Sequence, residues 1–173
     1  MKNVKAIFLS VLALTLIAAV ATAALAATND FTKDIIAQNN AATADAARRE
    51  VFPGAKSFEE KVLTVDGKDV VYYEAQNGDA LLGYVFTTVT RGKSAGLTVM
   101  TGINVDGTVC GVKVTADEET AGYIDTVTAG GLFEAFVGKT SVDGVDTVSQ
   151  ATKTSHGVID GVKRALSYFA AID

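Results

Sequence analysis

A chain of 173 residues with 49 % apolar side chains is long enough for one well-packed domain and too short for two comfortable ones. Its net charge is −5, and beyond the first 27 residues, where Lys2 and Lys5 are the only charges, 13 basic side chains against 20 acidic ones leave −7. Such an acidic remainder argues against nucleic acid as the partner. The single cysteine, Cys110, and single histidine, His156, leave no basis for a disulfide framework, a metal site or a catalytic triad.

Taken in chain order, the first element is an uncharged run of 22 residues from Ala6 to Ala27. About 20 apolar residues cross a bilayer as a helix. Residues 1–27 are therefore expected to form a single N-terminal transmembrane helix, and Lys2 and Lys5 ahead of it place the N-terminus in the cytoplasm. The small-residue pattern at Ala24-Leu25-Ala26 also fits a cleavable signal peptide. Both readings place everything after residue 27 on the outer face of the membrane.

Phe31 to Val51 reads as an alanine-rich helix with weak amphipathicity, so residues 28–54 are expected to form a helical stalk, broken by Pro53-Gly54. Residues 55–173 then form the functional domain. Lys61–Val65 and Val70–Ala75 flank Asp66-Gly67, a tight hairpin signal, and Asn77-Gly78 makes the next turn. Leu81–Thr90 reads as a third strand, followed by a flexible loop over Gly92–Gly96. Leu97–Val105 and Thr108–Thr115 flank a second Asp-Gly pair, Asp106-Gly107. Strands joined by such short turns are antiparallel.

Asp117 to Tyr123 reads as a polar loop, and Leu132–Val137 as a short helix closed by Gly138. The last helix is expected from about Ser155 to Ala171, with Ser155 as its N-cap and Val158, Ile159, Val162, Leu166 and Phe169 near helical spacing. The fold class is α+β: an antiparallel sheet covered by helices on a membrane-anchored stalk. Cys110, between Val109 and Gly111, reads as a buried small thiol, and His156 as solvent-facing or capping.

One run carries a chemical signal. Thr147, Ser149, Thr152, Thr154 and Ser155 place five hydroxyls directly ahead of, or at the start of, the last helix. A helix N-terminus offers unpaired N–H groups and the positive end of the macrodipole, so hydroxyls there are placed to hold a phosphate or to be esterified by one.

The pattern Asp146-x-x-Ser149-x-Ala151-Thr152 resembles the flavin-attachment motif of the FMN-binding domain family. In that family FMN is joined through its phosphate to the last Thr of the motif, which here is Thr152. The resemblance covers most of the chain, including Val51-Phe52-Pro53-Gly54, Gly102-Ile103-x-x-Asp106-Gly107, Glu119-Thr120-Ala121-Gly122 and Phe136-Val137-Gly138-Lys139. Four positions depart from it: Gln150 stands where the family usually has Gly, Ala121 replaces a Pro, and Tyr123-Ile124 replaces a Leu-Gly pair.

The resemblance implies a set of flavin-contacting residues. Asp146, Ser149, Gln150, Ala151, Thr154 and Ser155 would surround the covalent FMN on Thr152. Glu119, Thr120 and Gly122 would approach the ring, with Lys139 as a basic residue beside it. It further implies an electron-transfer subunit of a membrane-bound, ion-translocating oxidoreductase of the ferredoxin:NAD type, with other membrane subunits as partners and a flavin transferase for maturation. Two other functions fit the same residues: a free-standing exported flavoprotein, and an anchored binding domain that never acquires flavin.

Overall fold

The computed structural model describes residues 12, 14–19, 21–22 and 43–172. Residues 14–19 are helical, and among the described residues no helix is long and apolar enough to cross a membrane. Most of the span expected over 6–27, and residues 28–42 of the stalk expected over 28–54, lie outside the described residues; the remainder of that stalk packs as part of the domain core. Residues 44–173 form one compact unit.

Within it, helix α1 (residues 43–51) leads into five strands: β1 (Ser57–Val65), β2 (Lys68–Asn77), β3 (Ala80–Arg91), β4 (Ala95–Asn104) and β5 (Val109–Ala116). They form one antiparallel meander in the order β1-β2-β3-β4-β5. Helix α2 (Tyr123–Ala129), a 3-10 turn (Glu134–Phe136) and helix α3 (Thr152–Phe169) follow. The α+β expectation with an antiparallel sheet and covering helices therefore holds.

The turns obey their residues. Asp66 and Gly67 both have positive φ, 51° and 73°, which matches the right-handed twist of the flanking strands. The next turn sits one residue later than the Asn-Gly pair indicates, on Gly78-Asp79, because Asn77 pairs with Ala80. At the third hairpin Asp106 Oδ1 accepts from Thr108 N (2.9 Å) and Thr108 Oγ1 (2.6 Å), an Asp side chain standing in for a backbone turn.

The sheet is covered on both faces. On one, α1 packs Ala47, Val51 and the following Phe52 against Ala75, Val85 and Met100. Alanine content favours this helix, and Pro53 ends it. Its last turn lies directly on strand backbone: a Cβ at Gly102 or Gly111 would come within 2.7 Å or 2.6 Å of the Val51 carbonyl oxygen. Cys110, beside them, is partly rather than fully buried, and its thiol donates to the same carbonyl at 3.2 Å. Burial pushes that thiol up to about 12.

On the other face α3 crosses β3 and β4. Val158, Val162 and Ala165 are buried there with Leu97, Val99, Phe86 and Ile103. Gly157 and Gly161 allow a closer approach than side chains would permit. Cβ atoms would meet Leu97 Cδ2 at 2.7 Å and Val99 Cβ at 2.8 Å. The freed space brings the Thr90 hydroxyl to the Gly157 carbonyl (2.8 Å) and the Thr88 hydroxyl to the Gly161 carbonyl (3.2 Å). Each helical glycine costs about 1 kcal/mol in propensity, and each buried hydroxyl–carbonyl bond returns about that much.

Three elements differ from expectation. Tyr123 belongs not to a loop but to the start of α2, which a sequence of two Thr, one Ile and one Val in seven residues conceals. The helix expected over 132–137 is a single 3-10 turn. Helix α3 begins at Thr152 with Ala151 at the N-cap position, not at Ser155. The Ser155 hydroxyl instead donates to the Ala151 carbonyl (2.9 Å) and accepts from Val148 N–H (3.1 Å), folding the preceding loop onto the helix.

Candidate functional site

The first turn of α3 has no side-chain cap. Ser155 N–H is the first to find an intrahelical acceptor, the Ala151 carbonyl at 2.8 Å. The amides of Thr152, Lys153 and Thr154 thus point outward from the positive end of an 18-residue helix. Hydroxyls that would ordinarily serve as caps are otherwise engaged: Ser155 as above, and Thr154 through a 2.8 Å bond to Glu119 Oε2.

Glu119 is the clamp of this region. Its other oxygen accepts the Ser94 amide at 3.0 Å, so one carboxylate joins the β3–β4 loop, the segment after β5 and the first turn of α3. Bonds to an ionised acceptor are the stronger kind, each worth about 1.5–3 kcal/mol. Gly92 is required at this crossing, because a Cβ there would strike Glu119 and lie 3.2 Å from Thr154 Cα.

Gln150 has φ 70°. It occupies the left-handed region, where the resemblance expects a glycine, at a cost of about 1–2 kcal/mol for a residue with a Cβ. Strain in this position directs the chain into α3 with Thr152 at the surface. Thr152 is exposed and lines a depression of about 260 Å3 together with Lys93, Tyr123, Gln150, Ala151, Lys153 and Thr154. A neighbouring depression of about 310 Å3 is lined by Ala121, Gly122, Tyr123, Thr126 and Gln150.

The structure thus brings together Thr152, Thr154, Gln150, Ala151 and Glu119, with Gly122 beside them and Ser155 supporting from beneath. Thr120 is exposed in the loop, its carbonyl accepting the Tyr123 amide (3.2 Å). Asp146 and Ser149 lie on the approach to α3, short of the depression that holds Thr152. Lys139 is placed apart from the cluster: its backbone carbonyl accepts the Val109 amide at 2.8 Å, at the far end of β5, and its Nζ donates to the Asp143 carbonyl at 3.3 Å. His156 is exposed. Among the described residues no group of three or more His, Cys, Asp or Glu is arranged to hold a metal ion.

Lys93 is the member of the cluster that the sequence does not single out. Its Nζ donates to Tyr123 Oη at 3.0 Å and lies 4.3 Å from the ring centroid. Its only sequence signal is a basic residue inside a short glycine-flanked loop, and proximity to α3 depends on tertiary packing. A larger depression, about 450 Å3, lies elsewhere, between β2, β3 and α3. It offers no nucleophile beside free amides, and its one arginine, Arg164, is committed to the Val89 carbonyl at 2.8 Å. The smaller depression at α3 is therefore the better candidate for chemistry.

Known proteins resemble this chain over most of its length. Residues 92–167 match the FMN-binding domain family, and residues 1–51 match the RnfG N-terminal region. The chain is 32 % identical over 171 residues to the G subunit of the Na(+)-translocating ferredoxin:NAD(+) oxidoreductase complex of Acetobacterium woodii, covering 91 % of this chain and 82 % of that one. It is 29 % identical over 185 residues to the G subunit of the ion-translocating oxidoreductase complex of Methanosarcina acetivorans, covering 99 % and 98 %.

Proposed function

From the premise that this chain belongs to the RnfG family, the G subunits of ion-translocating oxidoreductase complexes, with their FMN-binding domain, we propose that it carries electrons on an FMN esterified to Thr152. The carrying observation is the exposed Thr152 hydroxyl at the first position of an uncapped helix, on the wall of a depression. A flavin transferase, as maturation partner, would join Thr152 Oγ to the flavin phosphorus of a flavin dinucleotide; the phosphoanhydride bond would break and the nucleoside monophosphate would leave with the hydroxyl proton released to water.

The residues present fit a phosphodiester. Such a group carries about one negative charge at neutral pH. Three amides of α3 without intrahelical acceptors flank the place it would occupy, and Lys93 and Lys153 line the same depression. Glu119 is held by the Thr154 hydroxyl and the Ser94 amide, two donors that offset part of its charge. FMN, when bound, supplies reversible electron uptake, while the protein positions it and sets its electrostatic surroundings.

In this reading the run from Ala6 to Ala27 anchors the protein in the membrane, with the FMN domain on the outer face and other membrane subunits as electron donor and acceptor. A covalent tether suits that location, since a dissociated flavin would be lost by dilution. Digestion of the full chain, expressed with a flavin transferase, is expected to yield a Thr152 peptide heavier by one FMN phosphoryl group. Thr152→Ala is expected to lose that increment and the in-gel flavin fluorescence. A Thr152→Ala protein that stays fluorescent would overturn the assignment.

A further inference from the structure

We infer that Tyr123 and Lys93 together form the platform for the flavin ring, with Lys93 compensating the charge the ring gains on reduction. This rests on FMN being tethered at Thr152.

Tyr123 sits where the two depressions meet. It lines both the one that contains Thr152 and the one bounded by Ala121, Gly122 and Thr126. A long planar group tethered at Thr152 and extending into the second depression crosses the boundary formed by Tyr123 and Gln150, of which Tyr123 offers the aromatic face. One side of the tyrosine is anchored, because it packs against the core cluster that includes Val127 and Val158. At the site itself, the Lys93 ammonium is held by the Tyr123 hydroxyl at 3.0 Å and lies 4.3 Å from the ring centroid. A conjugated ring system stacks on such a phenol, and an ammonium within a few ångströms favours whichever form of the ring is more negative.

The loop that presents Lys93 is fixed rather than free. Ser94 N–H donates to Glu119, Gly92 N–H donates to the Ser94 carbonyl at 3.1 Å, and Gly92 has no room for a side chain. Because the FMN-binding domain resemblance has a Leu-Gly pair at 123–124, an aromatic platform here is a property of this chain's own residues. Reduced flavin bears more negative charge than oxidised flavin. Lys93 therefore raises the reduction potential, and Tyr123 quenches the fluorescence of the ring it touches.

The test uses the full chain matured with a flavin transferase, with the flavin increment on the Thr152 peptide measured by mass and every readout normalised to it. Tyr123→Leu is expected to raise fluorescence per flavin several-fold. Lys93→Met is expected to lower the ratio of reduced to oxidised flavin at a fixed potential about tenfold, equal to about 30 mV for a two-electron couple. Tyr123→Phe retains the packing and the stack while releasing Lys93. It should lose the quenching, because Phe does not give an electron to the excited flavin, and shift the ratio in the direction of Lys93→Met. Unchanged fluorescence and ratio in the flavin-loaded variants would overturn the platform and leave the attachment at Thr152 standing. A wild-type Thr152 peptide without the increment would overturn the attachment and the platform with it.

Discussion

The first turn of α3 and the two turns after it lie on one helix and are built to opposite standards. In the first, Thr152 and Lys153 are exposed, three amides lack intrahelical acceptors, and the residue leading in, Gln150, is strained. One turn on, Gly157 and Gly161 touch β3 and β4 with no room for a methyl group, and even their carbonyls are hydrogen-bonded by Thr90 and Thr88. The contrast teaches that the helix body supplies the fixity that lets its end remain unsatisfied. An uncapped terminus on a loosely packed helix would fray; on this one it is available for a ligand.

Overpacking the seam should have the largest effect. Gly161→Val places branched carbons where Val99 and the Thr88 hydroxyl stand, and is expected to destabilise by about 3 kcal/mol or more in urea unfolding. A loss under about 0.5 kcal/mol would show that the seam is not tight. Next is Glu119→Ala, which strands the Ser94 amide and the Thr154 hydroxyl and should cost about 2 kcal/mol. A double-mutant cycle with Thr154→Val is expected to return a coupling of about 0.5–3 kcal/mol, and additive losses would remove Glu119 from its clamping role.

At the opposite extreme, Gln150→Gly is expected to stabilise, by about 0.5–1 kcal/mol, since the relief of left-handed strain exceeds the extra flexibility of the unfolded glycine. Destabilisation would mean that the amide side chain holds the turn by other contacts. The smallest expected effect is at Cys110, far from either half of α3. Its folded thiol titrates near 12, so alkylation at pH 8 should be far slower in the native than in the unfolded protein. The folded protein keeps this proton while the unfolded chain gives it up from about pH 8.5. This group's contribution is therefore whole below that pH and declines as pH climbs toward 12.

Where local chemistry decides the structure, the sequence is readable. Asp66-Gly67 and Asp106-Gly107 announce their hairpins because few other residues adopt those dihedrals or make those side-chain turns. The hydroxyl run before α3 marks the candidate site because free amides and hydroxyls coincide there. Where packing decides, it is not readable. Helix α2 is written in Tyr, Ile, Thr and Val, residues of poor helical preference, and forms because Val127 is buried in the core. Ser155 has the composition of a cap, but Ala151 takes that position once Gln150 turns left-handed. Lys93 joins the site only because Glu119 draws its loop against α3, a contact between residues 25 positions apart at Ser94 and 35 apart at Thr154.

The meander itself has a kinetic consequence. Every strand pairs with its neighbour in sequence, so each hairpin can close without waiting for distant chain, and such local topologies fold quickly. The helices are the exception: α3 bonds to the sheet across 67 and 73 residues, and α1 meets β5 across 59. Docking that last helix requires nearly the whole domain to have been synthesised and the sheet to be in place. The free amides, Lys93 and the Thr152 hydroxyl come together only when α3 is docked. An enzyme that recognises that assembly would modify finished domains and pass over unfinished ones, a form of quality control supplied by chain order alone.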